Sequence, residues 1–430
     1  MNAPSLQQLV SGTSVRLRRG LAAPTVAVGV LGGLVGAAYV AALHVLEGVL
    51  GPEHHSSWVQ LGILTAVGAA VALITRVGGE TGNVELLVDN IHVLGGAENV
   101  KGLRSLIPSS LLCVAAGSAM GPEAPLVQTT GTLGTLTARR AHLGPTDVRI
   151  LTITGMAAGF TVLFGAPLGS AFFALEILHR RGLQYYEALV PAITGSLCGY
   201  VVYLGLSGIG IEPVWTFGDF GPLGTSDLLL AAAIGVAGAI GAGIFTLLVA
   251  VLRRAFAPLP VWGRYVAGGV LLGALGFWSP YALTFGEGQL GTLVDARLAA
   301  GALAVAALAK LAGTSVVLAA GWKGGFIIPL FFIGATTAQL VHVVFPQLNP
   351  TLLTACAMVA LCVGVTKTPL GATLVVTEMA GLSLLPVTLI AAVVALLVAS
   401  KVEMIETQRE RAEHPDARTD VATGPSTEAT

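Results

Sequence analysis

Charged side chains are scarce in this chain. Only 10% of its 430 residues are Asp, Glu, Lys or Arg, against about a quarter in an ordinary soluble domain. Hydrophobic residues make up 54% of the chain, and the mean hydropathy is +0.82. This composition predicts an integral membrane protein. The net charge of −1 and the lack of a basic stripe argue against a nucleic-acid partner.

Cysteine and catalytic motifs are also scarce. The four cysteines lie in apolar runs without the spacing of metal ligands, so they predict buried thiols and neither a metal site nor a disulfide. The chain has no HExxH or GxSxG motif and no paired aspartates in facing segments, which disfavours an intramembrane enzyme. We therefore expect no metal, no cofactor and no enzymatic activity.

One carboxylate, Glu123, stands alone between two uncharged segments, residues 105–120 and 126–138. An ionisable group at membrane depth costs a few kcal/mol and is usually functional. Gly121 and Pro122 interrupt the first segment, so a new helix can begin near Glu123. The unpaired N–H groups at the start of a helix attract an anion. The sequence therefore predicts an anion site at this break.

The same pattern recurs later in the chain. The spacing AAG-x3-G-x3-PL occurs at 115–126 and again at 319–330, an offset of 319 − 115 = 204. PLG followed by Glu seven residues after the Gly occurs at 167–176 and 369–378, an offset of 369 − 167 = 202. Two matches at nearly one offset predict a duplicated membrane unit. Interrupted helices at matching places in two halves are typical of a transporter's binding site.

Several apolar segments are shorter than the roughly 20 residues that cross a bilayer core. Among them are 124–138 and 330–346, and we expect a bundle of tilted and partial helices. Basic residues before the first segment predict a cytoplasmic N-terminus in the cell membrane, and the C-terminus is expected on the same side. The predicted parts are a leader (1–21), a first repeat (22–208), a linker loop (209–226), a second repeat (227–400) and a partly disordered tail (401–430).

These breaks resemble the motifs of the CLC family of chloride channels and chloride/proton antiporters. Gly121-Pro122-Glu123-Ala124-Pro125-Leu126-Val127-Gln128 is similar to the family's Gly-Lys/Arg-Glu-Gly-Pro-x-Val-Gln. The order and spacing of the motifs agree from about residue 22 to 400. The other matches are Gly325 to Pro329, Phe164 to Gly169 followed by Glu176, and Thr368 to Gly371 followed by Glu378.

The resemblance implies an all-α integral membrane protein with an inverted repeat of two halves. It also implies a homodimer with one anion pathway in each subunit. Glu123 would be the gating glutamate, which competes with the anion and carries a proton, and Glu176 a second proton-linked carboxylate. The implied anion-binding residues are Thr81, Gly82, Ala124, Phe326 and Ile327, and the pathway motif is Gly121, Pro125, Gly325 and Pro329.

Five of these residues have a plainer interpretation. Glu123 could cap a helix start as a neutral carboxyl, and Thr81 could be an ordinary N-cap. Phe326 and Ile327 could pack without touching an anion. Glu176 could simply end a helix at an interface.

The chain also departs from the family pattern. The family's first motif, Gly-Ser-Gly-Ile-Pro, is replaced by Glu80-Thr81-Gly82-Asn83-Val84. Ile177 stands where antiporters of the family usually carry an inner glutamate, and no tyrosine follows Tyr281. Pro122 replaces a basic residue. These differences leave open which anion is carried.

The predicted function is transmembrane transport of chloride or a similar small inorganic anion through a pathway gated by Glu123. The chain would act as a channel or as a proton-coupled exchanger in the lipid bilayer. The alternative is a proton- or cation-coupled carrier of a different solute, fluoride or an organic molecule.

Overall fold

The computed structural model describes residues 20–79, 88, 91–92, 96, 100–179, 185–208, 221–295, 298–405 and 408. Thr81 and Gly82, most of the predicted leader and linker, and nearly all of the tail beyond residue 405 lie outside these ranges. The described part contains 15 α-helices. They are α1 Ala22–Leu50, α2 Ser57–Gly78, α3 Leu103–Ala115, α4 Glu123–Arg140, α5 Pro145–Phe164, α6 Pro167–Glu176, α7 Leu189–Ser207, α8 Thr225–Phe256, α9 Val261–Trp278, α10 Glu287–Asp295, α11 Ala300–Ala319, α12 Ile327–Val344, α13 Pro350–Thr366, α14 Pro369–Ala380 and α15 Leu385–Val398.

Helix lengths vary widely, as expected for tilted and partial helices. Seven helical segments in the described chain are long and apolar enough to cross a membrane. The helices α1 and α8, with 29 and 32 residues, exceed the length needed for a perpendicular crossing. By contrast, α3, α6 and α14 have 13, 10 and 12 residues and cannot cross alone. Such short helices are tolerated at membrane depth only when protein surrounds them, and α6 and α14 are indeed mostly buried.

The two halves, α1–α7 and α8–α15, repeat each other in packing. The first helix of each half packs against the last, α1 on α7 and α8 on α15, and α4 packs on α5 as α12 packs on α13. The repeat extends to the backbone. Gly117 and Gly321, 204 residues apart, have φ of 87° and 85°, and Gly165 and Lys367, 202 apart, have φ of 62° and 63°. The duplication inferred from the motifs is therefore present in the fold.

The halves are joined where α6 meets α14. Each of these helices begins with a proline. Because proline has no N–H, the helix start has one unpaired donor fewer. The N–H groups of Leu370 and Gly371, at the start of α14, donate to the two carboxylate oxygens of Glu176 at 3.2 and 2.7 Å. Those of Leu168 and Gly169, at the start of α6, donate to Glu378 at 3.2 and 3.4 Å. The two helices therefore run antiparallel, and each is capped by the other half.

Candidate anion site

The two helix breaks meet through a minimal backbone bridge. Gly121 lies between α3 and α4, and Gly325 lies at the matching place between α11 and α12. The N–H of Gly121 donates to the Gly325 carbonyl at 2.9 Å, and the N–H of Gly325 donates to the Gly121 carbonyl at 2.6 Å. This antiparallel pair brings the starts of α4 and α12 together. Both helices therefore present their unpaired N–H groups near one point.

Glu123 is the first residue of α4, and its side chain is fully buried. Its Oε1 accepts a hydrogen bond of 2.6 Å from the N–H of Ile328, in the first turn of α12. The N–H groups of Ile327 and of Glu123 itself also interact with the carboxylate. The carboxylate thus lies at the positive end of the helix from the other half, where an anion is stabilised.

The second oxygen of this carboxylate, Oε2, is buried and has no hydrogen-bond partner in the described structure. Two glycines enclose it. A Cβ atom added to Gly325 would lie 2.6 Å from Oε2 and 3.0 Å from the N of Ala124, and one added to Gly121 would also overlap the carboxylate. The close approach of the two breaks therefore requires glycine at both places.

The structure brings most of the residues predicted from the sequence to this point. Ala124 and Phe326 are half-buried, and Ile327 is buried beside the Glu123 carboxylate. Pro125 and Pro329 are the buried third residues of α4 and α12, where a proline costs no helical hydrogen bond. The bonds made by Glu176 go to α14 and not to this bridge.

A buried lysine supports the neighbouring loop, and sequence reasoning gave it no definite role. Lys310 of α11 is fully buried, and its Nζ donates to the carbonyls of Leu283 and Thr284 at 2.8 and 2.7 Å and to Oε1 of Gln289 at 3.1 Å. The N–H of Thr284 in turn donates to the carbonyl of Gly117 at 2.8 Å. These hydrogen bonds therefore fix the loop against the first break.

An acidic cavity beside this loop was also missed. Its volume is about 840 Å³, and Glu287 on its wall interacts electrostatically with Glu123. Glu287 lies in a Gly-rich segment of the sequence, and nothing in that position predicts an interaction with Glu123. The other titratable side chains lining the cavity are His44, Glu47, Glu53 and His54.

A third missed group lies past the end of α6. His92 is fully buried, with Nδ1 at 3.1 Å from the Tyr185 hydroxyl and Nε2 at 2.6 Å from the Leu178 carbonyl. Its ring contacts that of the buried His179 in an edge-to-face arrangement, with centroids 5.2 Å apart. This group adjoins Ile177, whose side chain is itself buried.

The chain returns to the same place after α15. Gln408 is buried, and its Nε2 donates to the carbonyl of Ile177 at 2.9 Å and to that of Thr366 at 2.8 Å. These carbonyls follow α6 and end α13, so one side chain joins the two halves. No periodicity in the sequence predicts such a contact.

The fold and site define a multi-pass helical membrane protein with an inverted repeat and an anion-attracting point where the halves meet. A family model described as "Voltage gated chloride channel" matches residues 99–400. The chain therefore belongs to the voltage-gated chloride channel family, as the resemblance of its motifs to the CLC family predicted.

Known relatives and solved structures agree with this assignment. The chain is 26% identical over 382 residues to a "Chloride/fluoride channel protein" of Pseudomonas syringae pv. tomato, with 84% of this chain and 82% of the relative covered. It is similar in fold to a CLC-type fluoride/proton antiporter, with a TM-score of 0.79, 20% identity, and coverage of 95% of this chain and 100% of that one. A slow cyanobacterial Cl−/H+ antiporter matches with a TM-score of 0.78, 18% identity, and coverage of 90% and 95%. These likenesses confirm the all-α inverted-repeat fold.

Proposed function

We propose that this chain carries chloride or a similar small inorganic anion, fluoride included, across the membrane, and that Glu123 is its gate. One observation carries the proposal: a fully buried carboxylate on α4 accepts a 2.6 Å hydrogen bond from the N–H of Ile328 in α12. Such a helix start binds any compact anion. The carboxylate therefore occupies the place that a transported anion would take.

The gate follows from competition between two anions. While Glu123 is ionised, its carboxylate holds the N–H groups of α12 through charge-assisted bonds. Protonation removes the charge that these groups attract, so the side chain can leave and an anion can replace it. Backbone N–H groups near Ala124, Phe326 and Ile327 would then bind the anion, with Thr81 and Gly82 as the proposed partners outside the described residues. A proton would thus be exchanged against an anion at one point.

Glu176 is the second carboxylate that the sequence predicts as proton-linked. Both of its oxygens accept N–H groups of α14, so protonation would weaken two bonds that hold the halves together. We therefore assign it chiefly to the joint between α6 and α14. Proton transfer would depend mainly on Glu123.

We further propose a homodimer with one pathway per subunit in the cell membrane, with both termini in the cytoplasm. The basic end of α8, Arg253 and Arg254, supports the orientation by the positive-inside rule. Large exposed apolar side chains on α7 and α15, such as Leu197 and Leu397, offer surfaces for lipid or for a second copy. The domain limits predicted above, and a role without cofactor, metal or enzymatic chemistry, belong to the same proposal.

The test is anion efflux from liposomes that contain the purified protein, with external anion and pH recorded together. We expect efflux of chloride, fluoride or both from the wild type. Glu123→Gln keeps the shape of the side chain but cannot ionise, so any coupled proton flux should fall by about 10²-fold or more. Glu187→Gln, the same change on an exposed side chain, should leave both fluxes unchanged. Absence of efflux for every small inorganic anion tried would contradict the proposal and favour the organic-solute carrier.

A further inference from the structure

A second cavity lies between α2 and α9, and neither glycine of the Gly121–Gly325 bridge is among its lining residues. Its volume is about 610 Å³. Two cationic side chains line it, Arg76 near the end of α2 and Lys323 between α11 and α12. None of the described residues in its wall is acidic. The rest of the lining is Ala72, Leu73, Thr75, Val261, Trp262 and Tyr265.

The packing of α2 on α9 fixes where this cavity lies. Gly68 lies against the backbone of Tyr265, while Gly269, further along α9, lies against Leu64, nearer the start of α2. The two helices are therefore antiparallel, and the end of α2 adjoins the start of α9. The basic end of α8 leads directly into α9 through a short turn. The cavity thus opens at the end of the bundle to which the positive-inside rule gives the cytoplasm.

The rim of the cavity has the character of a membrane interface. Trp262, at the second position of α9, is 64% exposed, and Leu73 and Val261 are 62% and 55% exposed. An exposed tryptophan at a helix start is typical of the headgroup level, and exposed apolar side chains face acyl chains. The mouth of the cavity therefore faces lipid, with the exposed Arg76 near the end of α2 at the same end of the bundle as Trp262.

The side chains that line the cavity favour the binding of a phosphate group. Arg76 offers a planar fork of N–H donors, Lys323 offers an ammonium group, and Thr75 offers a hydroxyl. The Lys323 ammonium lies 5.7 Å from the centre of the Tyr265 ring, which orients it within the cavity. The space is much larger than a single halide needs. Basic pockets between membrane helices on the cytoplasmic side bind anionic headgroups.

We propose that this cavity binds the phosphate of an anionic phospholipid headgroup, with Arg76 and Lys323 as its ligands. Lys323 precedes Gly325 by two residues, so a bound headgroup contacts the segment that leads into α12. Binding itself is independent of the function proposed above. Only an effect of lipid on transport rests on that function.

The test measures lipid retention without transport. Purified protein in mild detergent is mixed with phosphatidylglycerol or with zwitterionic phosphatidylcholine, and bound lipid is counted by native mass spectrometry. We expect preferential retention of phosphatidylglycerol, and a loss of about fivefold for each cation removed by Arg76→Gln or Lys323→Gln, since a cation near an anionic headgroup contributes about 1 kcal/mol. The control Arg253→Gln/Arg254→Gln removes two charges at the same end but outside the cavity, and it should retain lipid as the wild type does.

Each other outcome is decisive. No preference for phosphatidylglycerol, or an equal loss in the control, would overturn the proposal in favour of diffuse attraction. Binding of glycerol 1-phosphate or inorganic phosphate with no retention of the lipid would make this a site for a soluble phosphate and overturn the lipid assignment. Because Arg76 is exposed, Arg76→Gln should fold, and it keeps the test valid if Lys323→Gln does not.

Discussion

Two pairs of helix starts join the halves of this protein, and they are built differently. Where α6 meets α14, each half supplies a carboxylate that caps the helix of the other, Glu176 in one direction and Glu378 in the other. Where α4 meets α12, the backbones match through Gly121 and Gly325, but only one half has a carboxylate. The residue 204 positions after Glu123, also the first of its helix, is Ile327.

The difference separates a structural joint from a functional one. In the α6–α14 joint, four N–H groups meet four carboxylate oxygens. In the α4–α12 joint, the Oε2 atom of Glu123 is buried with no partner in the described structure, which costs about 1–3 kcal/mol. An unsatisfied buried group in a native fold calls for an explanation. Competition with a transported anion supplies one, because a carboxylate with one unbonded oxygen is easier to displace than one that is bonded through both oxygens.

The largest change in unfolding free energy is expected when the α4–α12 joint is made symmetric. Ile327→Glu would bury a second carboxylate beside Glu123, and an uncompensated buried charge costs about 3–5 kcal/mol. We expect a matching loss of unfolding free energy and poor recovery of folded protein in detergent. The exchange Glu123→Ile/Ile327→Glu restores one carboxylate for the site and should recover most of the stability. If Ile327→Glu were as stable as the wild type, the presence of a carboxylate in only one half would not contribute to stability.

A smaller loss of unfolding free energy is expected at the α6–α14 joint, where each half supplies a carboxylate. Glu176→Gln and Glu378→Gln each replace one accepting oxygen by an NH₂ group that faces a backbone N–H, so each should lower the unfolding free energy by about 1.5–3 kcal/mol. The effect should be larger for Glu176, which is buried and makes the shorter bonds. Thermal unfolding in detergent measures both. A Glu176→Gln protein of normal stability with altered proton flux would instead give this carboxylate the proton role.

The sequence was sufficient to place the helix breaks, because Gly and Pro interrupt a helix through local sterics. It placed the start of α12 three residues late, at 330 against the observed Ile327. The reason is that Pro329 was taken as the end of the break, whereas a proline is tolerated in the first turn of a helix. The lone Glu123 could be selected because a charge within an apolar run stands out without any knowledge of the packing.

The partners of these groups could not be predicted in the same way. PLG with Glu seven residues after the Gly occurs in both halves, but only the antiparallel packing of α6 on α14 brings Glu176 to Gly371 across 195 residues. The contacts of Lys310 and Gln408 likewise depend on how helices and loops pack. Local spacing carries no information on such contacts.

The smallest change in unfolding free energy is expected at the ends of α5 and α13. There Gly165 and Lys367 both have a left-handed backbone, with φ of 62° and 63°. A side chain there costs about 1–2 kcal/mol, and the Nζ of Lys367 offsets the cost by donating to the carbonyls of Gly364 and Ala399. Lys367→Ala keeps the strain and loses both bonds, whereas Lys367→Gly loses the bonds and the strain together. Unfolding in detergent should therefore find the Gly variant more stable than the Ala variant by about 1 kcal/mol, and Gly165→Ala should cost a similar amount. Equal stability of the two Lys367 variants would show that no strain is stored at this end of the second half.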